Sequence, residues 1–357
     1  MKKAMRLTAL VLVLILLFCV PVQAAERIDH DGSAGSWTEE ALFGDNRYET
    51  AREAALLFAE ETGAVPERVI MVYGNDFPDA LSACSLAGYY HCPIILSKRT
   101  GVPPATLGLL RDDWQGKVKT VTVVGGGFSE SVIRSQLNGV VDEIDFTSFA
   151  GINRYDTAEK VARFLIDKTD VTAFALVTGV TAADALSFSS WSYQYRIPIL
   201  LAKSNGSLPA SSMSLIRSVN TKDSFDRVYI IGADPVVSVS VEVSLAPDVK
   251  RLAGSNRYET SLIVARHFLE ENAGKTDNFN NSVVVSGKNE NYPDALVGGP
   301  LAGERQVPVL LVGSAGMTDT LQSLVRSNMA SMTSYRLTLL GAAGTGSIHS
   351  RLITQLS

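Results

Sequence analysis

Four short sequence markers recur three times in the same order, and this repetition constrains the fold of the 357-residue chain more than any other feature. The first marker is Asn46-Arg47-Tyr48-Glu49-Thr50, then Asn153-Arg154-Tyr155-Asp156-Thr157, then Asn256-Arg257-Tyr258-Glu259-Thr260, with the arginines 107 and 103 residues apart. The second is Asp79-Ala80-Leu81, Asp184-Ala185-Leu186 and Asp294-Ala295-Leu296. The third is Pro93-Ile94-Ile95-Leu96, Pro198-Ile199-Leu200-Leu201 and Pro308-Val309-Leu310-Leu311, and the fourth is Val124-Gly125, Ile231-Gly232 and Leu340-Gly341. Such a period is too long for a solenoid unit and suits a complete small domain. Boundaries near residues 41, 147 and 250 divide the chain into module 1 at 42–147, module 2 at 148–250 and module 3 at 251–357, behind an extension at 25–41.

Each module alternates between helical and strand-like stretches. In the first copy the pattern predicts helices over Arg47 to Glu61, Pro78 to Tyr90, Pro104 to Arg111 and Ser129 to Leu137. Strands are expected at Val69 to Tyr73, Pro93 to Ser97, Thr120 to Val124 and Glu143 to Phe146. Strands that read as continuous Val, Ile and Leu argue for parallel sheets covered on both faces. The fold class is therefore α/β, with each module a small α/β/α sandwich of about four strands. Ligands bind such sheets beyond the carboxyl ends of the strands, where Asp79 and Gly125 to Gly127 are expected.

Residues 1 to 24 carry Lys2, Lys3 and Arg6, an apolar run from Ala9 to Val20 and a small-residue stretch ending at Ala24, the pattern of a cleaved signal peptide. Cys19 follows Phe18 rather than a small residue, which argues against lipidation. No later stretch is apolar and long enough to span a bilayer, and the C-terminal residues carry no wall-sorting tail, so surface attachment is expected to be non-covalent. Removing 24 residues removes three of 32 basic side chains and none of 37 acidic ones, leaving 29 minus 37, a net charge of -8. An acidic chain without a basic block speaks against nucleic acid as a partner. Cys84 and Cys92 lie in apolar surroundings and read as buried thiols, with a disulfide the alternative outside the cell.

Asn46, Asn153 and Asn256 are good N-caps, and Glu49, Asp156 and Glu259 stand three residues later, where a carboxylate completes a capping box. Arg47, Arg154 and Arg257 oppose the helix dipole in the same first turn. Each must therefore either pair with an acid or aim its fork of donors at an anionic ligand. Asp79, Asp184 and Asp294 follow Asp76, Thr181 and Asn291 by three residues, which suits helix capping, with an ion pair or ligand contact as the alternative. Ile94, Ile95 and Leu96, with Ile199, Leu200 and Leu201 and with Val309, Leu310 and Leu311, read as buried strands or as module contacts. Nucleophile-elbow, Walker, dinucleotide-fingerprint and zinc-protease motifs are missing, and His30, His91, His267 and His349 occupy different places in the repeats. The sequence thus points to neither a cofactor nor a metal, and to three equivalent binding positions rather than one active site.

In this order the markers closely resemble the cell wall binding repeat 2 family of Gram-positive surface proteins, over about residues 42 to 357. The resemblance implies a Rossmann-like fold for each repeat, three repeats about a pseudo-threefold axis within one monomer, and retention on the wall through an anionic secondary polymer. It assigns the family arginine to Arg47, Arg154 and Arg257, and the Ile-Leu-Leu segment to 94–96, 199–201 and 309–311. Two other readings compete. One is an exported wall hydrolase using Asp79, Asp184 or Asp294 as acid or base, and the other is a structural protein of a surface array. At net -8 the overall field does not steer the chain to an anionic polymer, so attraction would come from local arginines and helix-start amides.

Overall fold

The computed structural model describes residues 26–32, 35–219, 221, 224–245, 249–272, 281–288, 292–331 and 335–357. The signal segment and Asn291 lie outside the described residues. Strand β1 (Glu26–Gly32) turns back into β2 (Gly35–Leu42), which leads into helix α1 (Arg47–Thr62). Module 1 continues through β3 (Arg68–Tyr73), a 3₁₀ turn at Ala80–Ser82, α2 (Ala83–Tyr90) and β4 (Ile94–Ser97). Next come α3 (Pro104–Gly108), which runs into a π-helical turn, then β5 (Thr120–Val124), α4 (Glu130–Leu137) and β6 (Glu143–Phe149).

Module 2 repeats the order with α5 (Arg154–Lys168), β7 (Ala173–Thr178), α6 (Ala183–Ser187), α7 (Ser189–Tyr195), β8 (Ile199–Ala202), α8 (Ala210–Val219), β9 (Arg227–Ile231), α9 (Val239–Leu245) and β10 (Val249–Leu252). Module 3 follows with α10 (Arg257–Asn272), β11 (Asn281–Ser286), α11 (Tyr292–Glu304), β12 (Val309–Val312), α12 (Asp319–Ser331), β13 (Tyr335–Leu340) and α13 (Gly346–Leu356). Among the described residues no helix is long and apolar enough to cross a membrane.

The three sheets share one plan. Their strand orders are β4-β3-β5-β6, β8-β7-β9-β10 and β12-β11-β13-β2-β1, parallel throughout except for the β1–β2 hairpin. The central strands are apolar on both faces because helices cover both, and Val69 to Val72 are fully buried. The fourth strand of the third sheet comes from the opposite end of the chain: β2 pairs with β13, Trp37 opposite Tyr335 and Leu42 opposite Leu340. The segment that reads as an extension in the sequence thus completes module 3. In each copy the strand feeding the Asn-Arg-Tyr helix lies in the sheet of the module before it, and β2 does this for the ring as a whole.

Helices α2, α7 and α11 pack against one another at the centre. Small residues at matching positions permit the approach: a β-carbon on Gly299 would stand 2.8 Å from Ser189 Oγ and 3.2 Å from Cys84 Sγ. One hydrophobic core runs through all three modules, joining Leu86 to Trp191 and Leu301.

Candidate functional site

The first marker is a local scaffold repeated three times. Asn46, Asn153 and Asn256 cap their helices, each side-chain oxygen accepting two backbone N–H groups at 3.0–3.2 Å. The carboxylates of Glu49, Asp156 and Glu259 reach one residue further back than a capping box, accepting from the amides of Asp45, Ile152 and Ser255 at 2.7–2.9 Å. Thr50, Thr157 and Thr260 accept from Gly44, Gly151 and Gly254.

The arginines leave the helix axis and donate to backbone. Arg47 Nη1 donates to the Gly74 carbonyl at 2.6 Å, Arg154 Nη1 to Gly179 at 2.5 Å and Arg257 Nη1 to Gly287 at 2.7 Å. Those glycines end the first strand of each module, and the marker tyrosines rest on them, since a β-carbon on Gly74 would lie 2.9 Å from Tyr48 Cε1. A carbonyl partner was not among the sequence expectations. The glycine itself, 25 to 30 residues after each arginine, was the available signal.

The aspartates pair with the fourth marker. Asp79, Asp184 and Asp294 lie against Gly125, Gly232 and Gly341, whose φ angles of 93°, 111° and 59° already favour glycine and where a β-carbon would strike the carboxylate. Asp294 Oδ2 also accepts the Ala342 amide at 3.3 Å. The expected capping by Asp76 and Thr181 does not occur, because the turn at Ala80 starts on Asp79 itself and α6 starts after Ala182, neither with a side-chain cap.

Across each junction an aspartate of one module feels the arginine of the next: Asp79 with Arg154, Asp184 with Arg257, and Asp294 with Arg47. Burial raises all three carboxyls, to about 6 for Asp184 and Asp294, and the arginines only partly offset it. Between modules 1 and 2 lies a cleft of about 400 Å³ lined by Asp79, Arg99, Gly127, Ile152 and Arg154 among others. Between modules 3 and 1 a cleft of about 230 Å³ is lined by Arg47, Pro293, Asp294 and Thr345 among others. The recess beside Arg257 and Ala183 holds only about 10 Å³. Arg99, which no repeat marker includes, is the cleft residue that sequence comparison of the three copies could not find.

The Ile-Leu-Leu segments are the sheet-edge strands β4, β8 and β12, buried along their length. They also meet neighbouring modules: β4 touches α11, β8 touches the Ala80–Ser82 turn and β12 touches α6. Cys84 and Cys92 are free and buried, and burial pushes the Cys84 thiol up to about 12. Among the described residues no group of three or more His, Cys, Asp or Glu side chains is arranged to hold a metal ion.

The family profile described as Cell wall binding domain 2 (CWB2) matches residues 41–132, 149–242 and 251–352. The chain is 25% identical over 286 residues to N-acetylmuramoyl-L-alanine amidase LytC of Bacillus subtilis (strain 168), covering 80% of this chain and 52% of that protein. It is 26% identical over 287 residues to the amidase enhancer of the same organism, covering 79% of this chain and 36% of that one. The chain thus spans about half or less of the curated relatives it matches. Among solved structures, Cwp6 from Clostridium difficile superposes with a TM-score of 0.73 at 22% identity, over 93% of this chain and 51% of that one. Cwp8 from the same organism gives 0.70 at 23% identity, over 89% and 51%. Both share the fold described above.

Proposed function

The chain belongs to the cell wall binding domain 2 family, and from that membership we propose that it is exported by residues 1–24 and held non-covalently on the Gram-positive wall through an anionic secondary polymer. In this reading it is a binding protein without catalytic activity of its own. The observation that carries the polymer reading is the placement of the repeat arginines at module junctions. Arg47 and Arg154 line open clefts while spending one nitrogen on a backbone carbonyl. A guanidinium fixed in this way is pre-organised for an oxyanion, with less rotamer entropy left to lose on binding.

The hydrolase alternative draws on the raised carboxyls of Asp184 and Asp294. Both carboxylates, however, are pressed against loop glycines, and Asp294 is held by the Ala342 amide, which suits a strut between loops better than a proton donor facing substrate. The test is co-sedimentation of the exported chain with purified walls before and after acid removal of the secondary polymer. Binding should be lost on stripping, and no reducing sugar or free amine should be released. Equal binding to stripped walls overturns the polymer as ligand, and product release abolished by Asp294→Asn overturns the non-catalytic reading.

A further inference from the structure

The three junctions share their markers but differ in everything around them. Arg99 stands six residues after Pro93, and at the same offset module 2 has Ser204 and module 3 has Ser314. Its guanidinium carbon sits 4.3 Å from the centre of the Tyr73 ring, and its carbonyl accepts the Ser129 amide at 2.7 Å, so both ends of the residue are held. Beside it lies the loop Gly125-Gly126-Gly127, where the other modules carry Gly232-Ala233-Asp234 and Gly341-Ala342-Ala343. With no side chains there, the wall offered to a ligand is backbone, and a β-carbon on Gly127 would come 3.2 Å from Arg99 Nε. Asp79 Oδ1 and Arg99 Nε are themselves buried behind the cleft surface, so a ligand meets the outer parts of these two half-buried side chains.

Resting on the wall-binding reading above, we propose that the junctions are not equivalent and that the cleft between modules 1 and 2 is the principal oxyanion subsite, with Arg99 as its specificity-determining residue. The ligand group is a phosphate or carboxylate carried on a hydroxyl-bearing glycan. Arg99 and Arg154 receive the anion from two modules, and Asp76, which lines the same cleft, accepts from glycan hydroxyls.

Added charges test this without disturbing the fold, because Ile152 is 91% exposed at the rim of this cleft and Val243, on α9, is 69% exposed and lines neither cleft. Ile152→Glu and Arg99→Ala should each weaken co-sedimentation with polymer-bearing walls by about tenfold or more, as expected for losing or opposing one charge-assisted contact. Val243→Glu should leave binding unchanged, Thr345→Glu should weaken it less than Ile152→Glu does, and Arg99→Lys should fall between wild type and Arg99→Ala. Nuclear magnetic resonance titration with glucose 1-phosphate and, separately, with glucuronate should shift the Gly126 and Gly127 amides, the stronger response identifying the anion. A loss in Thr345→Glu equal to that in Ile152→Glu, full binding in Ile152→Glu, or titrations that leave Gly126 and Gly127 unmoved would overturn the assignment of this cleft as the principal one. Polymer-dependent sedimentation that survives Arg99→Ala would do so while leaving the wall-binding reading intact. Failure of the unaltered chain to sediment would remove both.

Discussion

Arg305 Nη1 donates to Glu40 Oε2 at 2.7 Å, joining module 3 to a strand that precedes module 1. Both side chains are buried, at 5% and 0% exposure. Glu40 also accepts from Arg27 Nε at 3.0 Å and from Thr338 Oγ1 at 2.9 Å, while the second nitrogen of Arg305 pairs with Glu61 on α1. Three parts of the chain therefore meet at one guanidinium, that of Arg305: the N-terminal hairpin through Glu40, the first helix through Glu61, and the last module to which Arg305 belongs. This is the charged clasp of the ring that β2 closes by hydrogen bonding.

Removing one partner should cost more than removing both. Arg305→Met leaves a buried carboxylate short of its main counter-charge and should destabilise the fold by about 3–5 kcal/mol. Adding Glu40→Gln should recover part of that loss. Denaturant unfolding of the two single variants and the double variant measures the coupling.

The hairpin illustrates where sequence reading stops. Module 1's helices and strands were legible because apolar periodicity reports burial on one or both faces. The segment 26–42 carries Glu39 and Glu40 side by side, so it looks solvated, and its burial depends on Arg305, some 265 residues away. Its position just ahead of Asn46-Arg47-Tyr48 was the usable clue, because β6 and β10 stand in the same place before Asn153 and Asn256. The π-helical turn after α3 and the 3₁₀ start of the Asp79 helix were invisible for a related reason: the first buries Leu109 and Leu110 in the core of module 1 and the second packs against β8 and α5 of module 2, so tertiary packing sets their geometry rather than propensity. Comparing the copies found the shared scaffold and, by the same logic, concealed Arg99.

Stability should peak at mildly acidic pH. Burial raises the Asp184 and Asp294 carboxyls from 3.8 to about 6, so the folded chain holds protons there that the unfolded chain has released. Their contribution is complete below about pH 3.8 and is lost as pH rises through 6, at a cost of up to about 3 kcal/mol for each. Glu40 acts in the opposite sense. Burial alone would raise its carboxyl, but Arg305 with Thr338 and Arg27 outweighs this and holds it below 4.5, so its contribution is lost on acidification. Melting temperature should climb from pH 7 toward 5 and then fall. In Asp294→Asn the climb should shrink, with Asp184 and Asp79 supplying what remains, and an unchanged profile would place the titrating group elsewhere.

The central axis should tolerate no added atom. A β-carbon on Gly88 would collide with the Tyr193 carbonyl, a backbone atom that cannot rotate away. Gly88→Ala should destabilise by about 1–3 kcal/mol through forced separation of α2 and α7. Gly108 provides the control, since it is helical at φ -59° and an added β-carbon meets only Asp112 Oδ2 at 3.9 Å. Gly108→Ala should stabilise by about 0.5–1 kcal/mol. Opposite signs for two identical substitutions, read by calorimetry, would locate the tight interface.

The repeat arginines should show a structural effect separable from any ligand effect. Arg154→Ala strips the Gly179 carbonyl of its charged donor and should cost about 1–3 kcal/mol even in the absence of polymer. Arg154→Lys keeps one donor within reach of that carbonyl, so most of the stability should return. Wall binding should not return with it, because a single ammonium cannot hold the carbonyl and also present a planar fork to the cleft. Unfolding free energy and wall affinity measured on both variants should therefore diverge: lysine near wild type in the first and near alanine in the second. If the two measurements instead fall together, Arg154 acts on binding only by holding module 2 in shape.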